Sequence, residues 1–136
     1  MSKYRSSSHT TYNIGYHVVF SPKYRYNLLR GAAATILKDL LREKAPDLGI
    51  TIQSMEVMPD HVHLFVIASP TMPIERIVKQ LKGYTSYHLR HCFAYLRKHP
   101  SLWTRSYFAE SVGHISEKTA VKYIASQKSK TLSSPG

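Results

Sequence analysis

The chain has 136 residues, 19 of them Lys or Arg and 8 Asp or Glu, for a formal net charge of +11 with histidine neutral. This length suits one domain burying about two-thirds of its unfolded surface, and a hydrophobic fraction of 43% is enough for a real core, which excludes a disordered basic tail protein. No apolar run nears the roughly 18 residues of a membrane span, and a single cysteine, Cys92, excludes an internal disulfide and a cysteine-held metal cluster. The expectation is a small soluble protein of the cytoplasm, with no membrane association and an anionic partner.

Residues 1–10 are polar, carry no apolar stretch of a secretion signal, and read as a loose arm; 129–136, closing on Ser133-Ser134-Pro135-Gly136, reads as a frayed tail. One domain spans 11–128. Asn13 to Ser21 is rich in aromatic and β-branched residues and stops at Pro22, which predicts a strand. Ala33 to Lys44 sets Ala33, Ile36, Leu37, Leu40 and Leu41 at helical spacing, and Pro46 ends that helix. Thr51 to Met58 and His61 to Ala68 read as two strands joined by the Pro59-Asp60 turn, an antiparallel hairpin. Pro73 opens a long helix with Ile74, Ile77, Val78, Leu81, Leu89 and Cys92 on one buried stripe. Gly83 inside it costs about 1 kcal/mol relative to Ala, so close approach of something to the backbone is expected there. Trp103 to Ala109 reads as a fourth strand. Ser116 is the expected N-cap of a last helix, Glu117 to about Lys128.

The order is β-α-β-β-α-β plus a C-terminal helix. Its first six elements match the ferredoxin-like (RRM-like) α+β plan, with both helices on one face of an antiparallel sheet. The other face is left open, a platform for single-stranded nucleic acid. The spread of Lys and Arg along the chain agrees with nucleic-acid binding; a basic ribosomal-type or membrane-surface protein is the alternative. Ten tyrosines against four phenylalanines and one tryptophan add side chains that stack on bases while the hydroxyl stays wet.

Three groups carry the candidate chemistry. His61-Val62-His63 opens the third strand, so both imidazoles share one face and can share one metal ion, while Val62 and Leu64 point the other way. The alternative is a pair of half-exposed strand histidines. Tyr123 and Gln127 lie on the same side of the last helix at i, i+4; the alternative is a tyrosine at the edge of the core with a solvated glutamine. Arg76, Lys79, Lys82, Gly83, Tyr84, Thr85 and Ser86 form a basic helix segment whose lysines and hydroxyls make either a phosphate-facing ridge or a solvated face. No Gly-rich phosphate loop is present. Eight carboxylates, with only Asp60 close in sequence to the histidines, argue against an all-carboxylate two-metal nuclease.

Taken together these residues resemble the single-tyrosine transposases of the IS200/IS605 family, in the HUH endonuclease superfamily. The likeness rests on Tyr16-His17-Val18-Val19-Phe20 with Lys23-Tyr24-Arg25, and on Met58-Pro59-Asp60-His61-Val62-His63-Leu64. It continues through Leu81-Lys82-Gly83-Tyr84-Thr85-Ser86, Leu102-Trp103, Tyr107-Phe108, Ser111-Val112-Gly113-His114 and Tyr123-Ile124-Ala125-Ser126-Gln127, and it covers about Tyr12 to Lys128. The resemblance implies a homodimer whose sheets join, binding of hairpins at the ends of a mobile element, and cleavage and rejoining of single-stranded DNA. It also implies Tyr123 as nucleophile, forming a 5′-phosphotyrosine, with the tyrosine helix able to act in trans. His61, His63 and Gln127 become ligands of a divalent metal, Mg²⁺ or Mn²⁺. Candidate DNA contacts are Lys23, Arg25, Lys79, Lys82, Tyr84, Ser86 and Lys122. The competing readings are a REP-associated domesticated relative, a metal-dependent nuclease using water, and a non-catalytic RRM-like binding module. The last would carry an aromatic RNP-type pattern where this chain has His61-Val62-His63-Leu64-Phe65.

Overall fold

The first strand, β1 (Asn13–Phe20), forms where aromatic and β-branched side chains alternate, and it sends Val18 and Phe20 into the core. The computed structural model describes residues 13–115. Helix α1 (Ala32–Lys44) buries Ala33, Leu37, Leu40 and Leu41. It runs into a 3-10 turn that contains Pro46 and ends on Gly49, whose φ of 67° is a left-handed position suited to glycine. Strands β2 (Thr51–Met58) and β3 (His61–Ala68) pair as an antiparallel hairpin across Pro59-Asp60. Helix α2 (Ile74–Cys92) follows Pro73 and buries Ile77, Val78, Leu81, Thr85 and Leu89. Strand β4 (Phe108–Ile115) closes the described chain.

The strands form one sheet of order β2-β3-β1-β4, antiparallel at every step. With two helices this is an α+β fold. Val18, Phe20, Val62, Leu64, Val66 and Ala68 share one buried cluster with Leu37 and Leu41 of α1 and Ile77, Leu81 and Leu89 of α2. Both helices therefore lie on the same face of the sheet, as the sequence pattern predicts.

Two expectations are corrected and a third is narrowed. The fourth strand is Phe108–Ile115, not Trp103 to Ala109. Trp103 belongs to the core: it is 6% exposed, meets Phe20 edge-on at 4.7 Å, and donates Nε1–H to Thr85 Oγ1 at 3.1 Å. The carbonyls of Thr104, Arg105 and Ser106 accept from Lys82 Nζ instead of a strand partner. Cys92 is exposed, because α2 ends there and Phe93 leaves in extended conformation, carrying the packing on through Leu96. At Gly83 a Cβ in place of the hydrogen would meet nothing within 4 Å, so no described part of the chain approaches it. The expected arm, the Ser116-capped last helix and the tail lie outside the described residues.

Candidate functional site

Period two on β3 separates two kinds of side chain. Val62 and Leu64 have no exposed surface, while His61 and His63 stand half-buried on the face away from the helices. The expected sharing of a face by the two imidazoles is thus met. His61 is held from the hairpin turn: its Nδ1–H donates to Asp60 Oδ1 at 2.9 Å, and Asp60 Oδ2 accepts from Arg25 Nη2 at 2.8 Å. This leaves Nε2 of His61 as the atom able to bind a metal, with the tautomer fixed by the carboxylate behind it. The hydrogen bond from His61, followed by that from Arg25, holds the Asp60 carboxyl below its ordinary pKa.

His63 meets a third histidine. The β1–β3 register sets Val19 opposite His63 and His17 opposite Phe65, and brings His17 Nδ1 within 3.3 Å of His63 Nε2. One neutral ring can donate to the other at that distance. Burial pushes the pKa of both down from the ordinary 6.5; for His63 the nearby Glu56 opposes and His61 reinforces this, and for His17 His63 reinforces it and Glu110 opposes. Neutral imidazoles are the form a metal requires. A metal taken by His63 Nε2 would replace His17 as its partner, and one taken by Nδ1 would leave that contact in place.

The donor set therefore fits a divalent ion in part. Among the described residues no three His, Cys, Asp or Glu side chains come together as a complete metal site, so His17 does not complete one with His61 and His63. A third protein ligand has to come from elsewhere. Gln127 lies outside the described residues, as do Tyr123 and Lys122.

The basic candidates separate into distinct places. Lys23 and Arg25 sit in a tight turn (Lys23–Arg25) after β1. Lys79 and Lys82 line a cleft of about 620 Å³ with Arg76, Arg105 and Tyr107. Lys82 is not a free ridge residue there: its ammonium bonds the carbonyls of Thr104, Arg105 and Ser106 at 2.6, 3.3 and 3.3 Å, and burial lowers its pKa. The hydroxyls do not join that ridge. Tyr84 donates to Glu43 on α1 at 2.6 Å, and this bond raises its pKa, while Ser86 lines a different cleft with Tyr87, Arg90 and Arg97. Sequence reasoning missed His17 as a neighbour of the histidine pair, Arg105 and Tyr107 as lining of the cleft of Lys79 and Lys82, and the clamp on Asp60. Asp60 was signalled by its place beside His61; His17 needed the β1–β3 register, which no local pattern reveals.

Comparison with known proteins follows the same residues. A family model described as IS200-like transposase matches residues 10–127. The ISDra2 transposase TnpA of Deinococcus radiodurans is 38% identical over 122 residues, covering 88% of this chain and 87% of its own length. The transposase of insertion sequence IS200 from Salmonella typhimurium is 30% identical over 116 residues, with 83% and 76% covered. A crystal structure of a Deinococcus radiodurans R1 protein bearing the transposase name superposes with a TM-score of 0.72 at 34% identity, covering 95% of this chain and 97% of that one. A REP-associated tyrosine transposase bound to a REP hairpin shares the fold at a TM-score of 0.55 and 15% identity, over 91% of this chain and 68% of that one.

Proposed function

The chain belongs to the family of IS200-like transposases, and from that premise we propose that it cleaves and rejoins single-stranded DNA through a tyrosine on its C-terminal helix. The observation that carries the reading is His61 and His63 side by side, half-buried, on the face of the sheet away from α1 and α2, with Asp60 presenting one of them. In this reading His61, His63 and Gln127 hold Mg²⁺ or Mn²⁺, and Tyr123 is the nucleophile. When bound, the ion would polarise the scissile phosphate and stabilise charge in the transition state.

The chain's own chemistry balances without an energy source. The Tyr123 oxygen bonds to phosphorus as the bond to the 3′ oxygen breaks; the phenol loses one proton and the 3′ oxygen gains one. The products are a 5′-phosphotyrosine and a free 3′-OH. Because one phosphodiester replaces another, a later 3′-OH can reverse the step without ATP. A phenol with a pKa of about 10 is mostly protonated at neutral pH, so deprotonation is part of the barrier.

The finer parts of the reading have separate supports. The sheet order and the one-sided helices support a ferredoxin-like plan with a platform for DNA hairpins. Strand β4 is an edge of the described sheet, which suits joining to the β4 of a second copy in a homodimer with sites completed in trans. Lys23, Arg25 and Lys79, with Tyr84, Ser86 and Lys122, supply phosphate and sugar contacts; Lys82 acts through the loop it ties down. No helix among the described residues is long and apolar enough to cross a membrane. The proposed place of action is the cytoplasm, where the DNA is. A non-catalytic RRM-like module fits less well, since the outward aromatic on β3, Phe65, is only 1% exposed and has no face free for a base.

The test is a labelled hairpin-bearing single strand incubated with the protein and Mg²⁺ or Mn²⁺ and run on a denaturing gel. A covalent adduct that disappears in Tyr123→Phe is expected. Cleavage that persists in Tyr123→Phe overturns the tyrosine mechanism, and binding with no cleavage of a cognate strand favours the binding module.

A further inference from the structure

We propose that Tyr24 and Tyr26 form a stacking platform that receives an unpaired base of the DNA strand beside the histidine pair. The inference rests on the single-stranded DNA reading above and names where that strand lies. Tyr24 is 73% exposed and Tyr26 46%, with ring centroids 5.5 Å apart, and Tyr26 meets His99 at 5.3 Å. Two exposed rings, backed by the half-buried ring of His99, therefore lie together at one end of the sheet.

The backbone beneath them is strained. Tyr24 has φ 58° and ψ 17°, and Arg25 follows with φ 54°, two left-handed residues in a row with neither a glycine. Such a conformation costs energy and persists only when the surroundings over-determine it, and it concentrates at functional positions. Here the surroundings do so. Pro22 bridges to Trp103, the Lys23 amide donates to Leu102 O at 2.8 Å, and the Arg25 amide donates to Pro22 O at 2.8 Å. The Arg25 guanidinium then locks onto Asp60, which holds His61. One chain of hydrogen bonds thus runs from the tyrosine turn to the proposed metal ligand.

The chemistry of the segment selects the occupant. From Lys23 to Arg30 the sequence Lys-Tyr-Arg-Tyr-Asn-Leu-Leu-Arg holds three cations and no carboxylate. Cations that attract phosphates, interleaved with rings that offer a π-face, suit single-stranded nucleic acid and tolerate any base. A strand paired on Tyr24 would pass His61 within a few nucleotides, which sets the register of the scissile phosphate.

The test uses the full chain carrying Tyr123→Phe and a 20-residue oligodeoxythymidylate substituted with 5-iododeoxyuridine. Irradiation in the near ultraviolet is expected to crosslink the strand to Tyr24 or Tyr26, located by peptide mass spectrometry. Tyr24→Ala should weaken binding by about five- to a hundredfold with the salt dependence unchanged. Tyr24→Phe and Tyr24→Trp should bind within about twofold of the parent, because the ring and not the hydroxyl is used. Lys23→Ala should instead lower the salt slope by about 1. Crosslinks confined to other residues, or equal binding by Tyr24→Ala and Tyr26→Ala, overturn the platform alone when the unsubstituted chain still forms its Tyr123 adduct. A parent chain that binds neither this strand nor a hairpin-bearing one overturns the platform and the strand-transfer reading together.

Discussion

On one side of β3, Val62, Leu64 and Val66 have no exposed surface and lie in the cluster that includes α1 and α2. On the other side, two residues of the same strand, His61 and His63, keep part of their surface in water and meet Asp60 and His17. The first face holds the strand by burial along its whole length; the second buries Phe65 and Ile67 at one end and presents the nitrogen atoms of His61 and His63 at the other. Alternation at period two lets eight residues do both without conflict. The two faces should therefore respond differently to the same kind of truncation.

The largest expected effect is on the histidine face. His61→Ala should lower strand cleavage by about a thousandfold, since a bound metal contributes several kcal/mol to the transition state. Its unfolding free energy should stay within about 1 kcal/mol of the parent, because the side chain is half-buried and makes one local bond. Hairpin binding should be largely kept. Equal loss of cleavage and binding would show that His61 is structural.

Leu64→Ala should give the opposite pattern, a loss of about 3 kcal/mol in a denaturant titration. Leu64 is fully buried between the strand's neighbours and the helices, so the cavity cannot collapse completely. At a temperature where the variant is still folded, its cleavage rate should remain near that of the parent. A variant that loses activity while fully folded would mean the two faces are coupled through the strand.

Acid should distinguish the faces next. The pKa values of His17 and His63 are lowered by burial from the ordinary 6.5. The unfolded chain then binds more protons than the folded one between the two values, so stability rises with pH across that interval. Stability should be complete above 6.5 and fall as the pH drops toward the lowered values. Thermal melts of the metal-free chain across this range should show the slope. The double variant His17→Asn, His63→Asn should flatten it, whereas Leu64→Ala should lie lower with the same slope.

Much of this division was legible in the sequence because it is local. The 3.6-residue stripe from Ile77 to Leu89 and the alternation of His61-Val62-His63-Leu64 each need only a few residues to read. What failed depended on contacts distant in sequence. Trp103 looked like a strand residue, but its indole is committed to Thr85 and Phe20, and strand pairing with β1 begins at Phe108. Cys92 continued the helical stripe by count, yet the helix ends there. His17 enters the site only through the β1–β3 register. The clamp of Arg25 on Asp60 depends on positive φ at two residues that are not glycine, which composition gives no reason to expect. Tyr123 and Gln127 lie outside the described residues, so their part of the site stands on the resemblance.

The smallest effect concerns a position on neither face of β3. Gly83 lies near the middle of α2 on its exposed side, where glycine costs about 1 kcal/mol relative to alanine. An added Cβ would touch nothing within 4 Å, and the residue has ordinary helical backbone, so neither packing nor conformation within the described chain requires glycine. Gly83→Ala should therefore stabilise the protein by about 1 kcal/mol, read as a rise of about 4 °C in Tm. The neighbours Lys82 and Lys79 face the basic cleft, so the same variant also probes that surface. A Tm rise with unchanged DNA affinity marks Gly83 as a weak point of the helix that function does not use. A Tm rise with lost affinity means that the DNA backbone approaches α2 at this residue, and that the site extends from the histidine face around to the helix layer.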